Sequence, residues 1–177
     1  MPQTDDVKEP TVGSGPRDLV MVGRNAFLSG DVERAKRLAD KAISEDPMRQ
    51  DAWILKGRAL VCRFDPEGAK ECYRQALDID DGNVEAWRRM AFAHRIKGEI
   101  PDAISCWNRA LEIEPANHRT LVDIASAFDE LGEFRTANEY YEQALEVNPE
   151  DPFARENIRL NLRILDRIAK GTGKGPG

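Results

Sequence analysis

Arg88, Phe92 and Arg95 fall at i, i+4 and i+7, so in a helix two guanidinium groups and a phenyl ring share one face. That set suits recognition rather than bond-making. The planar fork of a guanidinium matches a carboxylate, and the ring between them adds apolar contact. A local alternative stands beside it: Glu85 and Arg89 are four apart, and such pairs hold arginines on a solvated face for about 0.3 kcal/mol each. Other chemistry-bearing residues are sparse. Cys62, Cys72 and Cys106 form no CxxC motif and read as reduced, space-filling thiols, and the two histidines, His94 and His118, sit apart. The chain has no Gly-rich phosphate loop, nucleophile elbow or metal-ligand spacing, and acid pairs such as Asp80 and Asp81 fall at helix ends and turns. Accordingly no catalytic residue, metal or cofactor is expected, and the chain is not expected to be an enzyme.

The charge balance narrows the partners. A net charge of -6 over 177 residues argues against a phosphate-backbone binder, which needs clustered Lys and Arg, so nucleic acid is not expected. The first 16 residues carry charges ahead of any apolar run, unlike a secretory signal, and the longest apolar cluster, Leu19 to Val22, is far too short to span a bilayer. No membrane partner is expected, and a cytoplasmic location is.

What positions the arginines is a repeat. Alanine recurs at Ala35, Ala69, Ala103 and Ala137, and again at Ala42, Ala76, Ala110 and Ala144, a fixed period of 34. Gly23, Gly57, Ala91 and Ala125 keep the same register, as do Gly30, Gly98 and Gly132, with Phe64 in the odd place. Pro47, Pro115 and Pro149 form a further column in which Asp81 fills the missing slot. A period in this range marks a stacked array of helix pairs. In the third unit one helix is predicted from about Val84 to Lys97, ending at Gly98; the next starts near Pro101 and ends before Pro115. Small residues mark where paired helices approach. Trp53 and Trp87 share a column with Leu19 and Leu121, and Tyr73, Trp107 and Tyr141 share another with Ala39; their fixed register favours core packing over a stacking platform for bases or sugars. Residues 1–16 and 171–177, rich in Gly, Pro and small polar groups, are expected to be disordered tails.

The period and the residues that carry it resemble the tetratricopeptide repeat, whose pattern runs W-x2-L-G-x2-Y, then A, F, A and P. Trp53, Gly57, Leu60, Ala69, Tyr73 and Ala76 carry it in the second unit. Trp87, Met90, Ala91, His94, Ala103, Trp107, Ala110 and Pro115 carry it in the third, and Leu121, Ile124, Ala125, Phe128, Ala137, Tyr141, Ala144 and Pro149 in the fourth. The first unit is weaker, with Leu19, Val22, Gly23, Ala35, Ala42 and Pro47, and Ala39 where an aromatic is usual. The resemblance implies an all-α, right-handed superhelical solenoid over residues 17–170. Its four helix-turn-helix repeats lie at about 16–49, 50–83, 84–117 and 118–151, with a C-terminal capping helix over 152–170.

The resemblance also implies a concave groove, lined by the first helix of each unit, that holds a peptide or protein segment. Carrying its positions across gives Val20, Met21, Arg24, Phe27, Ile54, Leu55, Arg58 and Val61 in the first two units and Arg88, Arg89, Phe92 and Arg95 in the third. The fourth turns acidic with Asp123 and Asp129. The expected function is a non-catalytic adaptor whose groove takes an acidic, partly apolar segment, unless the arginines merely pair with local acids. The alternative is self-assembly. Ile158, Leu162, Leu165 and Ala169 form one apolar stripe on the last helix and Leu160, Ile164 and Ile168 a second, wider than a simple cap requires, so the helix is either a deeply seated cap or a self-association face.

Overall fold

The structure is a computed structural model that describes residues 18–172. The segments 1–16 and 173–177, expected as tails, lie outside the described residues. Nine helices and no strands make up the described part: α1 (Leu19–Leu28), α2 (Val32–Glu45), α3 (Gln50–Cys62), α4 (Pro66–Ile79), α5 (Val84–Ile96), α6 (Ile100–Ile113), α7 (His118–Glu130), α8 (Phe134–Val147) and α9 (Pro152–Thr172).

Local chemistry punctuates them. Asp18, Asp31, Asp65, Asn83 and Asn117 accept backbone N–H bonds in the first turns of α1, α2, α4, α5 and α7, and Pro66 and Pro101 sit where a missing N–H has no consequence. Between the two helices of each unit the chain turns through the left-handed region at Gly30 (φ +86°), Gly98 (+77°) and Gly132 (+76°). Phe64, the odd member of that column, takes φ +60° as well, which costs a β-carbon-bearing residue about 1 kcal/mol.

The small-residue columns are the contact points. Ala35, Ala69, Ala103 and Ala137 are fully buried, as are Ala76, Ala110 and Ala144. A β-carbon on Gly57 would meet Tyr73 Cε1 at 2.5 Å, so the glycine is what lets that ring lie flat against α3. Tyr73, Trp107 and Tyr141 are buried, as core packing predicts, each filling the space beside an alanine pair. Trp53 and Trp87 act at the seams: their indole N–H groups donate to the carbonyls of Pro47 at 2.8 Å and Asp81 at 2.7 Å, tying each first helix to the loop before it. Successive helices pack on one another, and α1 also touches α3, as α3 touches α5, while Arg88 reaches Asp123 from α5 to α7, so these first helices of the units converge on one side of an all-α solenoid and form its inner face.

Two expectations need correction. Val20, Ile54 and Leu55 do not line the groove; they are buried, Val20 and Leu55 in the core shared by α1, α2 and α3, and Ile54 in that of α3, α4 and α5. The reason is that α3 has neighbours on nearly every side, so its almost continuous apolar surface is enclosed. On α9, which runs two residues past the expected end at 170, the docked side is Ala154, Ile158 and Asn161, and Leu162 faces outward. Leu160 and Ile168 are also exposed while Ile164 is half-buried. Among the described residues no helix is long and apolar enough to cross a membrane.

Candidate functional site on the concave face

The inner face carries Arg24 and Phe27 from α1, Arg58 from α3, and Arg88, Arg89, Phe92 and Arg95 from α5. Four of the five arginines already have carboxylate partners. Arg24 lies 3.8 Å from Asp51, Arg88 2.8 Å from Asp123 and 3.7 Å from Glu85, Arg89 2.7 Å from Glu85, and Arg95 3.6 Å from Glu130. The Arg88–Asp123 pair ties the third unit to the fourth, a structural role for a residue expected as an anchor. Arg58 differs. Its guanidinium stacks 4.4 Å from the Phe27 ring centroid, and it has no carboxylate partner among the described residues. Burial pushes its pKa down, and the neighbouring Arg89 pushes the same way, against a smaller opposite pull from Glu85.

Around this guanidinium lies a cavity of about 110 Å³, walled by Phe27, Val61, Cys62, Tyr73, Arg89 and Phe92. A concavity of about 190 Å³ between Arg88, Arg89, Phe92 and Asp123 adjoins it across Phe92. Beyond Arg88 a wider polar hollow, about 480 Å³, opens beside Glu85, Asn117, His118 and Arg119. The first two share Arg89 and Phe92, whereas the hollow meets the second only at Arg88 and is walled mainly by the loop before α7 and the first turns of α5 and α7. Phe92, 38% exposed, sits where the first two meet.

The fourth unit closes its part of the same face. Asp129 accepts from Tyr141 Oη at 2.8 Å and from Asn161 Nδ2 at 2.6 Å, and Asn161 also donates to Asn138 Oδ1 at 3.0 Å, so α7, α8 and α9 are joined by a satisfied polar network. Sequence reasoning placed Asp129 in the groove but missed Asn161, a polar residue set where an apolar stripe was expected. It also missed Tyr73 as a wall of the Arg58 cavity; the signal for it was the column that changes from Val61 to Asp129.

His94, Glu99 and Asp102 bring three potential metal-ligating atoms within 4.8 Å of one another, yet Glu99 is claimed by hydrogen bonds from Lys97 and Lys70 and by His94 Nδ1 at 2.6 Å. Those bonds, Lys97 first, hold its carboxyl down at about 2, so the group works as an ion-pair junction between α4, α5 and α6. Burial pushes the thiols of Cys72 and Cys106 up to about 11, leaving both protonated at neutral pH, in keeping with space-filling roles, whereas Cys62 is exposed at the end of α3 and fills no core space.

Tetratricopeptide repeat family models match the chain over residues 84–150 and 50–83. Among solved structures, MamA is 22% identical with a TM-score of 0.72, the match covering 80% of this chain and 83% of that one. A thermophilic TPR protein of Thermus thermophilus, TTC0263, is 19% identical with a TM-score of 0.75, over 83% and 82% of the two chains. The pilF protein of Pseudomonas aeruginosa is 20% identical with a TM-score of 0.78, over 90% and 76%. At these identities the likeness is one of fold. Comparison with curated proteins gives no match.

Proposed function

We propose, from the premise that this chain belongs to the tetratricopeptide repeat family, that it is a non-catalytic adaptor that holds a segment of another protein in its concave groove. Protein interaction is the general work of such repeats; the groove, its occupant and a cytoplasmic setting are our reading. The repeats fall at about 16–49, 50–83, 84–117 and 118–151. The supporting observation is the pair of adjoining concavities from Phe27 to Asp123, edged by arginines and centred on the exposed ring of Phe92. The groove's cationic first half and the acidic Asp123 and Asp129 further along suit a segment that is acidic and apolar where it meets α1, α3 and α5.

Co-purification from the native cells tests it. Wild-type protein is expected to retain a partner that the Phe92→Glu variant loses, with helical content unchanged. Equal retention by both would remove the groove from the account.

A second reading, self-assembly through the ends of the stack, draws on Leu160, Leu162 and Ile168, which are 43%, 56% and 52% exposed, with Ile164 half-buried beside them. Light scattering over a concentration series decides it: a monomer at the highest concentration rejects this reading, and a dimer abolished by Leu160→Glu supports it.

A further inference from the structure

One repeat column presents the same ring in two settings. In the fourth unit Tyr141 donates to Asp129 Oδ2, with Ser126 Oγ 3.3 Å from its hydroxyl. Two periods earlier, around Tyr73, Val61 stands in the Asp129 position and Arg58 in that of Ser126. The acceptor has been replaced by a hydrocarbon and a further donor has been added. Tyr73 is 1% exposed, and among the described residues neither its hydroxyl nor the Arg58 guanidinium has a hydrogen-bond partner. Both line one cavity. Neither donor is sealed from solvent, so both open onto the cavity unanswered by the chain, and one acceptor from outside can meet the two together.

We propose that the cavity walled by Phe27, Arg58, Tyr73 and Phe92 is a subsite for one side-chain carboxylate, aspartate or glutamate, of an extended partner segment. The carboxylate accepts from the Arg58 guanidinium and the Tyr73 hydroxyl, as Asp129 accepts from Tyr141 in the fourth unit. Phe27 and Phe92 cover the methylene groups behind it. Size favours a side chain over a chain terminus: about 110 Å³ admits a carboxyl-tipped side chain, whereas a terminal carboxylate would bring its own backbone and side chain into the same space. Opposite charge supplies the complementarity, since the cavity lies between Arg58 and Arg89 and the one acid near it, Glu85, is already bonded to Arg89. This assignment rests on reading the concave face as the binding surface.

The test uses blocked amino acids as probes and the arginine Nε–Hε resonances of the whole protein as the readout. N-acetyl-glutamate amide is expected to shift the Arg58 resonance at a concentration about ten-fold below that needed by N-acetyl-glutamine amide. N-acetylglycine, which offers a terminal carboxylate, should require more than the glutamate probe. Tyr73→Phe weakens the response several-fold. Val61→Asp, which restores the fourth unit's acceptor inside the cavity, abolishes it and unfolds at a temperature no lower than that of Val61→Asn. Equal responses to the glutamate and glutamine probes overturn the proposal. So does an Arg58 response no larger than that of the exposed Arg119, or a Val61→Asp protein that binds like wild type or melts below Val61→Asn. Should these fail while Phe92→Glu still loses its partner, the carboxylate subsite falls and the groove stands.

Discussion

The second and fourth units share a helix pair, fully buried alanines and an enclosed tyrosine, yet dispose of their polar groups in opposite ways. In the fourth, Asp129, Tyr141, Ser126 and Asn161 satisfy one another and fasten the last helix to the stack. In the second, Arg58 and Tyr73 face a cavity with donors and no acceptor. The same scaffold position thus serves cohesion in one place and is left open in another. Polar chemistry on the inner face has to be read by whether it is answered within the chain, not by which residue types are present.

A close contact with a buried ring gives the largest expected effect. Gly57→Ala drives a methyl group into the Tyr73 ring and should cost about 3 kcal/mol in urea denaturation. Ala125 already occupies that column in the fourth unit, so Ala125→Gly should cost much less. Equal costs would mean that the two tyrosines pack alike. Next comes the polar contrast: Asp129→Ala removes the main acceptor of the Tyr141 hydroxyl and one of the two acceptors of the Asn161 amide and should lose about 2 kcal/mol. Arg58→Met, which breaks no ion pair, should stay within about 0.5 kcal/mol of wild type. If both substitutions destabilise to the same degree, the distinction between answered and open groups is lost. Phe64→Gly, importing the glycine that the fourth unit has at 132, should raise stability by about 0.5–1 kcal/mol in the same assay, because it releases a left-handed turn from a 93% exposed side chain.

The smallest effect is one of pH, at the junction in the third unit. Glu99 titrates at about 2 in the folded chain against 4.5 ordinarily, so its contribution is complete above about 4.5 and is lost as the pH falls through 2. Acid unfolding of Glu99→Gln should lack that component, and an unchanged profile would show that Lys97 and Lys70 do not depend on it.

Much of the architecture was legible before any coordinates, for a physical reason. A repeat period forces equivalent positions to recur, so Ala35, Ala69, Ala103 and Ala137 announced a close contact, and Gly30, Gly98 and Gly132 a left-handed turn. The groove was less legible. Val20 and Ile54 share a column with Arg88, and the period cannot tell that two of them are enclosed while the third bridges to Asp123. Arg58 looked like the other arginines because its distinction is that no carboxylate comes within ion-pair distance of it, which depends on neighbours from three helices. The docked side of α9 was misassigned at Leu162 because Asn161, a polar residue, faces inward to meet Asp129.

The tethered indoles of Trp53 and Trp87 give each early seam of the stack its own chromophore, while Trp107 reports on an enclosed site deeper in the array. Fraying that starts at the first unit would shift the emission of Trp53 before that of Trp87, and Trp107 last. Single-tryptophan versions of the chain would therefore show, by fluorescence alone, from which end this one-dimensional assembly comes apart.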